Sequence, residues 1–125
     1  MILDTNALSA FADEDKKLEP VLRRASRCAL PVIVLGEYRY GISLSKYRDE
    51  YHVWLNEQLK VLEILTVDPN TATHFADIKR ELKKAGTPIP GNDVWIAALA
   101  RQHKLPVASR DQHSDYVPRL ERIDW

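Results

Sequence analysis

The sequence is poor in cysteine and has no excess of charge of either sign. Its single cysteine, Cys28, excludes an intramolecular disulfide, which is typical of proteins from a reducing compartment. Lys and Arg total 18 and Asp and Glu total 18, so the formal net charge is zero. Any affinity for phosphate groups must therefore come from a local basic patch, because the chain has no global basic field.

Long hydrophobic runs are also missing. No apolar stretch approaches the roughly 18 residues of a membrane-spanning helix. No basic region precedes the first apolar residues, as it would in a secretory signal. We therefore expect a cytoplasmic protein that does not associate with membranes.

The order of the apolar segments predicts an α/β fold. With 125 residues, of which 45% are hydrophobic, the chain has the size of one domain spanning residues 1–125 and can bury a core. Short apolar segments typical of strands occur near residues 2–3, 28–30, 61–67, 106–109 and 120–123, with segments of helical periodicity between them. This alternation predicts a three-layer α/β/α sandwich with a mainly parallel sheet of about five strands.

Local signals predict where several helices begin and end. Asn6 is expected to cap a helix over residues 7–12. Asp68 is expected at the start of a helix that ends at Gly86, because glycine readily adopts the left-handed conformation that ends many helices. A mostly apolar helix is predicted over residues 93–103 and should be buried on more than one side.

Four carboxylates are the most informative residues of this chain. Asp4 follows the first predicted strand, Asp111 follows the fourth, and Asp93 opens an apolar helix. Glu37 lies among apolar neighbours in a partly buried helix, where a carboxylate needs a partner. Side chains just past the carboxyl ends of parallel strands converge on one crevice. Carboxylates gathered there would bind hard divalent cations, which offset their mutual repulsion.

Each acid also has a purely structural explanation. Asp4 can cap the first helix, and Asp93 suits the positive end of a helix dipole. Asp111 can be a turn residue, and Glu37 can be a solvated helix position. The joint placement of all four acids nevertheless favours a metal site over chance.

Small polar residues stand next to these acids in the sequence. Thr5 and Asn6 follow Asp4, and Ser109 precedes Asp111 by two positions. They can orient the carboxylates or hold water near a metal ion. Capping and turn formation explain the same three residues equally well.

The acids belong to five short segments that stand in a recognisable order along essentially the whole chain. These segments are residues 3–6, 31–41, 86–93, 109–113 and 117–125. Each is modest alone, but their order and spacing make the set specific. The chain resembles the PIN-domain ribonucleases, and most closely the toxins of toxin–antitoxin pairs of the VapB–VapC type.

The resemblance implies a metal-dependent endoribonuclease that is the toxin of such a pair. It implies that Asp4, Glu37, Asp93 and Asp111 are catalytic residues that bind Mg²⁺, with Mn²⁺ as a possible substitute. Thr5 or Asn6, together with Ser109, would be supporting residues. The implied partners are an RNA substrate, a cognate antitoxin protein and a second copy of this chain.

Two arginines are the best candidates for contact with RNA. Arg39 and Arg110 adjoin the acids and can form charge-assisted hydrogen bonds with phosphate. His113 also lies near Asp111, but we interpret it as a surface residue. No histidine is required as a general base in the expected reaction.

Two other function classes fit parts of the sequence. A phospho-receiver signalling domain shares the length, the architecture and an acidic Mg²⁺ pocket, but receivers carry adjacent acids after the first strand, whereas Thr5 follows Asp4 here. A PIN fold that binds RNA or protein without cutting is the second alternative, although the presence of all four acids disfavours it. Cleavage of DNA also stays open, because metal-assisted hydrolysis does not read the 2′-hydroxyl.

Overall fold

A five-stranded parallel sheet organises the fold. The computed structural model describes residues 1–125. The strands are β1 (Ile2–Leu3), β2 (Ala29–Pro31), β3 (Glu63–Leu65), β4 (Val107–Ala108) and β5 (Arg122–Ile123). The helices are α1 (Thr5–Ala12), α2 (Glu19–Arg24), α3 (Val32–Ser43), α4 (Arg48–Gln58), α5 (Pro69–Ala85) and α6 (Gly91–His103), and a short 3₁₀-helix covers Gln112–Tyr116.

The winding direction of the sheet reverses between β1 and β4. The strand order is β3-β2-β1-β4-β5, and every pair of neighbours is parallel. Right-handed crossovers therefore carry the helices before β3 to one face of the sheet and α5 and α6 to the other. The predicted α/β sandwich is confirmed. In open sheets of this kind, ligands bind at the carboxyl ends of the strands where the order reverses.

The two strands at this reversal point are completely enclosed. Ile2 pairs with Val107 and Leu3 pairs with Ala108, and each of these four residues is at most 1% exposed. Strands buried on both faces read as short apolar runs without alternation, which explains their sequence pattern. None of the six helices combines the length and the apolar character needed to cross a lipid bilayer.

Local signals explain the limits of α5 well. Asp68 caps the helix and Thr71 reciprocates in a capping box, while Gly86 ends it in the left-handed region at φ 71°. Two N-caps were predicted for α1: Asp4 is confirmed, and Asn6 is wrong because it lies inside the first turn. The 3₁₀-helix after Asp111 has no apolar periodicity and was not predicted.

Candidate functional site

Asp4 occupies the carboxyl end of β1 at the reversal point. Its side chain caps α1, because Oδ1 accepts a hydrogen bond of 2.7 Å from the Thr5 backbone N–H. Its Oδ2 accepts a second bond of 2.7 Å from the Ser109 hydroxyl. The residue is only 9% exposed. Capping and site formation are therefore not alternatives for this aspartate, since one oxygen serves each purpose.

Ser109 connects Asp4, which follows β1, to Asp111, which follows β4. It is fully buried, and besides donating to Asp4 it accepts hydrogen bonds from the Asp111 backbone N–H at 3.0 Å and the Asn6 Nδ2 at 3.2 Å. A hydroxyl offers one donor and two acceptor positions, so its bonding capacity is filled. Asn6 in turn accepts from the Arg110 backbone N–H at 3.0 Å. These bonds fix the loop that carries Asp111 against the start of α1.

Asp93 and Asp111 meet around the ring of His113. The His113 Nδ1 lies 2.9 Å from Asp93 Oδ2 and 3.2 Å from Asp111 Oδ2. Ligand atoms of these three residues all lie within 4.8 Å of one another, close enough to hold one metal ion. Asp111 also caps the 3₁₀-helix by accepting from the His113 backbone N–H at 2.9 Å.

Glu37 borders the site from α3. Its Oε1 accepts a hydrogen bond of 3.3 Å from the Thr5 hydroxyl, which places it next to the residue that follows Asp4. A groove of about 240 Å³ opens beside it between α1, α3 and α4. Glu37 and Asp4 lie outside the tight group formed by Asp93, Asp111 and His113. The sequence-predicted acids therefore form a chain of neighbours around one edge of the sheet.

The negative charges of this edge act on Asp93. Burial raises the pKa of the Asp93 carboxyl above its ordinary value, and the nearby charges of Asp4 and Asp111 raise it further. The hydrogen bond from His113 opposes this shift. Of all ion pairs in the structure, only those of His113 reach any of the four acids. The site therefore carries negative charge that no Lys or Arg neutralises.

This donor set fits a hard divalent cation. Carboxylate oxygens are the ligands that Mg²⁺ and Mn²⁺ prefer. A cation would also remove the repulsion that raises the pKa of Asp93. The hydrogen-bond donors to Asp4 and Glu37 are neutral, and only the His113 ring lies against Asp93 and Asp111, so no Lys or Arg competes with a cation for these oxygens.

Comparison with known proteins identifies the family. A model described as the PIN domain matches residues 1–120. The chain belongs to the PIN-domain family. Ribonuclease VapC2 of Haemophilus influenzae is 34% identical over 128 residues, which cover 99% of this chain and 96% of the relative. The resemblance inferred from the motifs is confirmed. The phospho-receiver alternative is therefore wrong.

Solved PIN-domain structures share the whole fold. The crystal structure of VapBC2 from Rickettsia felis bound to a DNA fragment from their promoter matches with a TM-score of 0.87 at 25% identity, covering 99% of this chain and 97% of that chain. The DNA-bound VapBC of Salmonella typhimurium matches with a TM-score of 0.87 at 27% identity, covering 99% and 96%. Both structures are of VapBC, and a third match, VapBC-5 of Mycobacterium tuberculosis, is described as a member of the VapBC family of toxin–antitoxin systems.

His113 is the residue of this PIN domain that sequence reasoning missed. Its side chain is 42% exposed, as expected of a surface residue, but its ring nitrogen also contacts both Asp93 and Asp111. The available signal was its position two residues after an aspartate that caps a helical turn. At that spacing the His113 backbone N–H donates to Asp111 Oδ1, and the ring lies beside the same carboxylate.

The two arginines predicted to contact RNA have partners within the chain. The Arg110 guanidinium lies 3.2 Å from Asp15 Oδ2 and stacks 4.7 Å from the centre of the Trp125 ring. Arg39 contacts the His52 Nδ1 and the Asn56 Oδ1, each at 3.2 Å. Neither guanidinium contacts the four acids, and a role in RNA contact stays a prediction.

Replacing Ser109 by Ala should destabilise the protein more than an ordinary surface change. The substitution leaves a buried oxygen of Asp4 and the Asp111 N–H without their partner, and an unsatisfied buried polar group costs about 1–3 kcal/mol. Chemical denaturation should show a loss of this size. Ser26→Ala, at an exposed serine, is the control and should change little. Equal stabilities of the two variants would contradict the role given to Ser109.

Proposed function

We propose that this chain is a metal-dependent endoribonuclease and the toxin of a toxin–antitoxin pair. The observation that carries the proposal is the placement of Asp4, Asp93 and Asp111 at the carboxyl ends of the strands, with no Lys or Arg paired to them. The name of the Haemophilus influenzae relative, a ribonuclease, supports RNA as the substrate class. Residues 1–125 would act as one nuclease domain.

The residues that would hold Mg²⁺, or Mn²⁺ in its place, are Asp4, Glu37, Asp93 and Asp111. The chemistry that a divalent cation supplies when bound is Lewis-acid stabilisation of the charge that develops on phosphate oxygens during hydrolysis. The protein's part is to present these carboxylates in a fixed arrangement. Ser109 and Thr5 do so through their hydrogen bonds to Asp4 and Glu37, and Asn6 supports Ser109.

The exposure of the acids indicates from which side an RNA strand would reach them. Asp4 is nearly buried, whereas Asp111 and Glu37 are partly exposed and face the solvent side of the site. A strand would reach the acids from this side, with Arg110 and Arg39 as the proposed phosphate contacts. To bind a phosphate, the Arg110 guanidinium would have to keep only part of its contact with Asp15 or break it.

We also propose two protein partners, a cognate antitoxin and a second copy of this chain. The toxin–antitoxin complexes among the solved relatives support the first, and the groove beside Glu37 offers a place for an extended segment that covers the acids. Exposed Tyr40, Leu44 and Tyr47 at the end of α3 give an aromatic surface of the kind that anchors interfaces. We propose a cytoplasmic location, in keeping with the single free Cys28.

Light scattering coupled to size-exclusion chromatography tests the second copy. The purified chain should elute with twice the monomer mass of 14.4 kDa. A clean monomer at high concentration would contradict the homodimer and leave the nuclease proposal standing.

A cleavage assay tests the nuclease proposal. The chain should cut RNA with Mg²⁺ and lose this activity in EDTA. Asp4→Asn keeps a good helix cap but removes one charge, so its rate should fall by about a hundredfold or more, the order seen when electrostatic stabilisation of a transition state is lost. Asp49→Asn, at an exposed acid of α4, is the matched control and should cut normally.

Three outcomes of the assay are informative. Absence of any metal-dependent cutting would favour the non-catalytic PIN-fold alternative. Cutting that survives Asp4→Asn would show that the acids are not the catalytic site. Cutting of DNA as well as RNA would widen the substrate class without changing the site.

A further inference from the structure

The His113 side chain connects two acids that come from different parts of the fold. Asp93 lies in the first turn of α6, and Asp111 lies in the loop after β4. The His113 Nδ1 is 2.9 Å from Asp93 Oδ2 and 3.2 Å from Asp111 Oδ2. No other side chain bridges these two carboxylates in the structure.

The partners of Nδ1 determine where the ring carries its proton. Carboxylate oxygens accept hydrogen bonds, so a ring nitrogen that faces two of them must be the donor. The backbone N–H of the same residue donates to Asp111 Oδ1 at 2.9 Å. The backbone N–H of His113 therefore holds Asp111, while the ring hydrogen-bonds to Asp93 and lies 3.2 Å from Asp111 Oδ2. The contact with Asp93 uses Oδ2 and leaves Oδ1 of that carboxylate without a hydrogen bond.

We propose that His113 is a positioning residue whose Nδ1–H holds the Asp93 and Asp111 carboxylates at the separation that a divalent cation needs. This inference rests on the proposed function, because it assumes that these acids bind a metal ion. His113 itself is not a ligand in this account. It fixes the ligands before the ion arrives.

The physical reason is that the two carboxylates would otherwise separate. Like charges repel even where they are partly exposed to solvent, and Asp93 and Asp111 belong to different segments, α6 and the loop after β4. A donor between the carboxylates offsets the repulsion and restricts their rotamers. Partners that orient metal ligands in this way typically change metal affinity by about 10–100-fold when they are removed.

Binding of Mn²⁺ to the metal-free full-length chain, measured by isothermal titration calorimetry, tests the proposal. His113→Leu removes the donor and should weaken Mn²⁺ binding by about 10–100-fold. His113→Asn keeps an N–H donor at a position close to Nδ1 and should recover most of the affinity. His74→Leu is the matched control, because His74 lines a cavity together with Leu105 and Pro106, which precede β4 and so lie at the opposite ends of the strands from the acids.

The outcomes separate this inference from the proposed function. Wild-type affinity or tighter binding in His113→Leu would overturn the positioning role and leave the metal site intact. An Asn variant as weak as the Leu variant would also overturn it, because a ring nitrogen that binds the ion directly cannot be replaced by an amide N–H. Failure of the wild-type chain to bind Mn²⁺ would remove the proposed function and the inference together.

A measurement on the unmodified chain guards against misfolded variants. Long-range ¹⁵N–¹H correlation spectra distinguish the two nitrogens of each histidine ring. In the metal-free protein, the His113 signals should show a proton on Nδ1. A neutral ring protonated only on Nε2 would overturn the proposal, since Nδ1 could then not donate to either carboxylate.

Discussion

The hydrogen bond from the Ser109 hydroxyl to Asp4 is the contact on which the site depends. It joins the residues that follow β1 and β4, the two central strands between which the winding direction of the sheet reverses. Ser109 also holds the Asp111 backbone, and Asp4 holds the start of α1. A single buried pair therefore fixes the directions in which α1 and the loop that carries Asp111 leave the sheet. The positions of the acids are a consequence of strand order more than of any local motif.

This arrangement has an electrostatic cost that the fold tolerates. The pKa of Asp93 is raised by burial and by its neighbours Asp4 and Asp111, and no Lys or Arg offsets their charges. Elsewhere the chain pairs its charges readily, as Arg27 does with Glu63 and Arg122 with Asp115. Acids that no Lys or Arg neutralises, gathered at the carboxyl ends of the strands in a chain of zero net charge, suit a cation-binding site.

The sequence predicts the limits of one helix and the grouping of two of the acids. The limits of α5 followed from Asp68 and Gly86, because capping signals are local. The grouping of Asp4 with Asp111 followed from the rule that residues after parallel strands meet at one edge.

The contacts that were missed are those that join residues far apart in the chain. Arg110 pairs with Asp15, and His113 reaches across to Asp93, and neither pairing leaves a trace in the spacing of apolar residues. The dual use of Asp4 was hidden for a different reason. Capping and site formation looked like competing explanations of one residue, but a carboxylate has two oxygens and the fold uses both.

Anomalous diffraction from crystals soaked in Mn²⁺ tests the account most directly. The account predicts an anomalous peak within bonding distance of carboxylate oxygens from Asp93 and from at least one of Asp4 and Asp111, at the carboxyl ends of β1 and β4. A crystal with the soaked ion at other carboxylates and none at this edge of the sheet would contradict it.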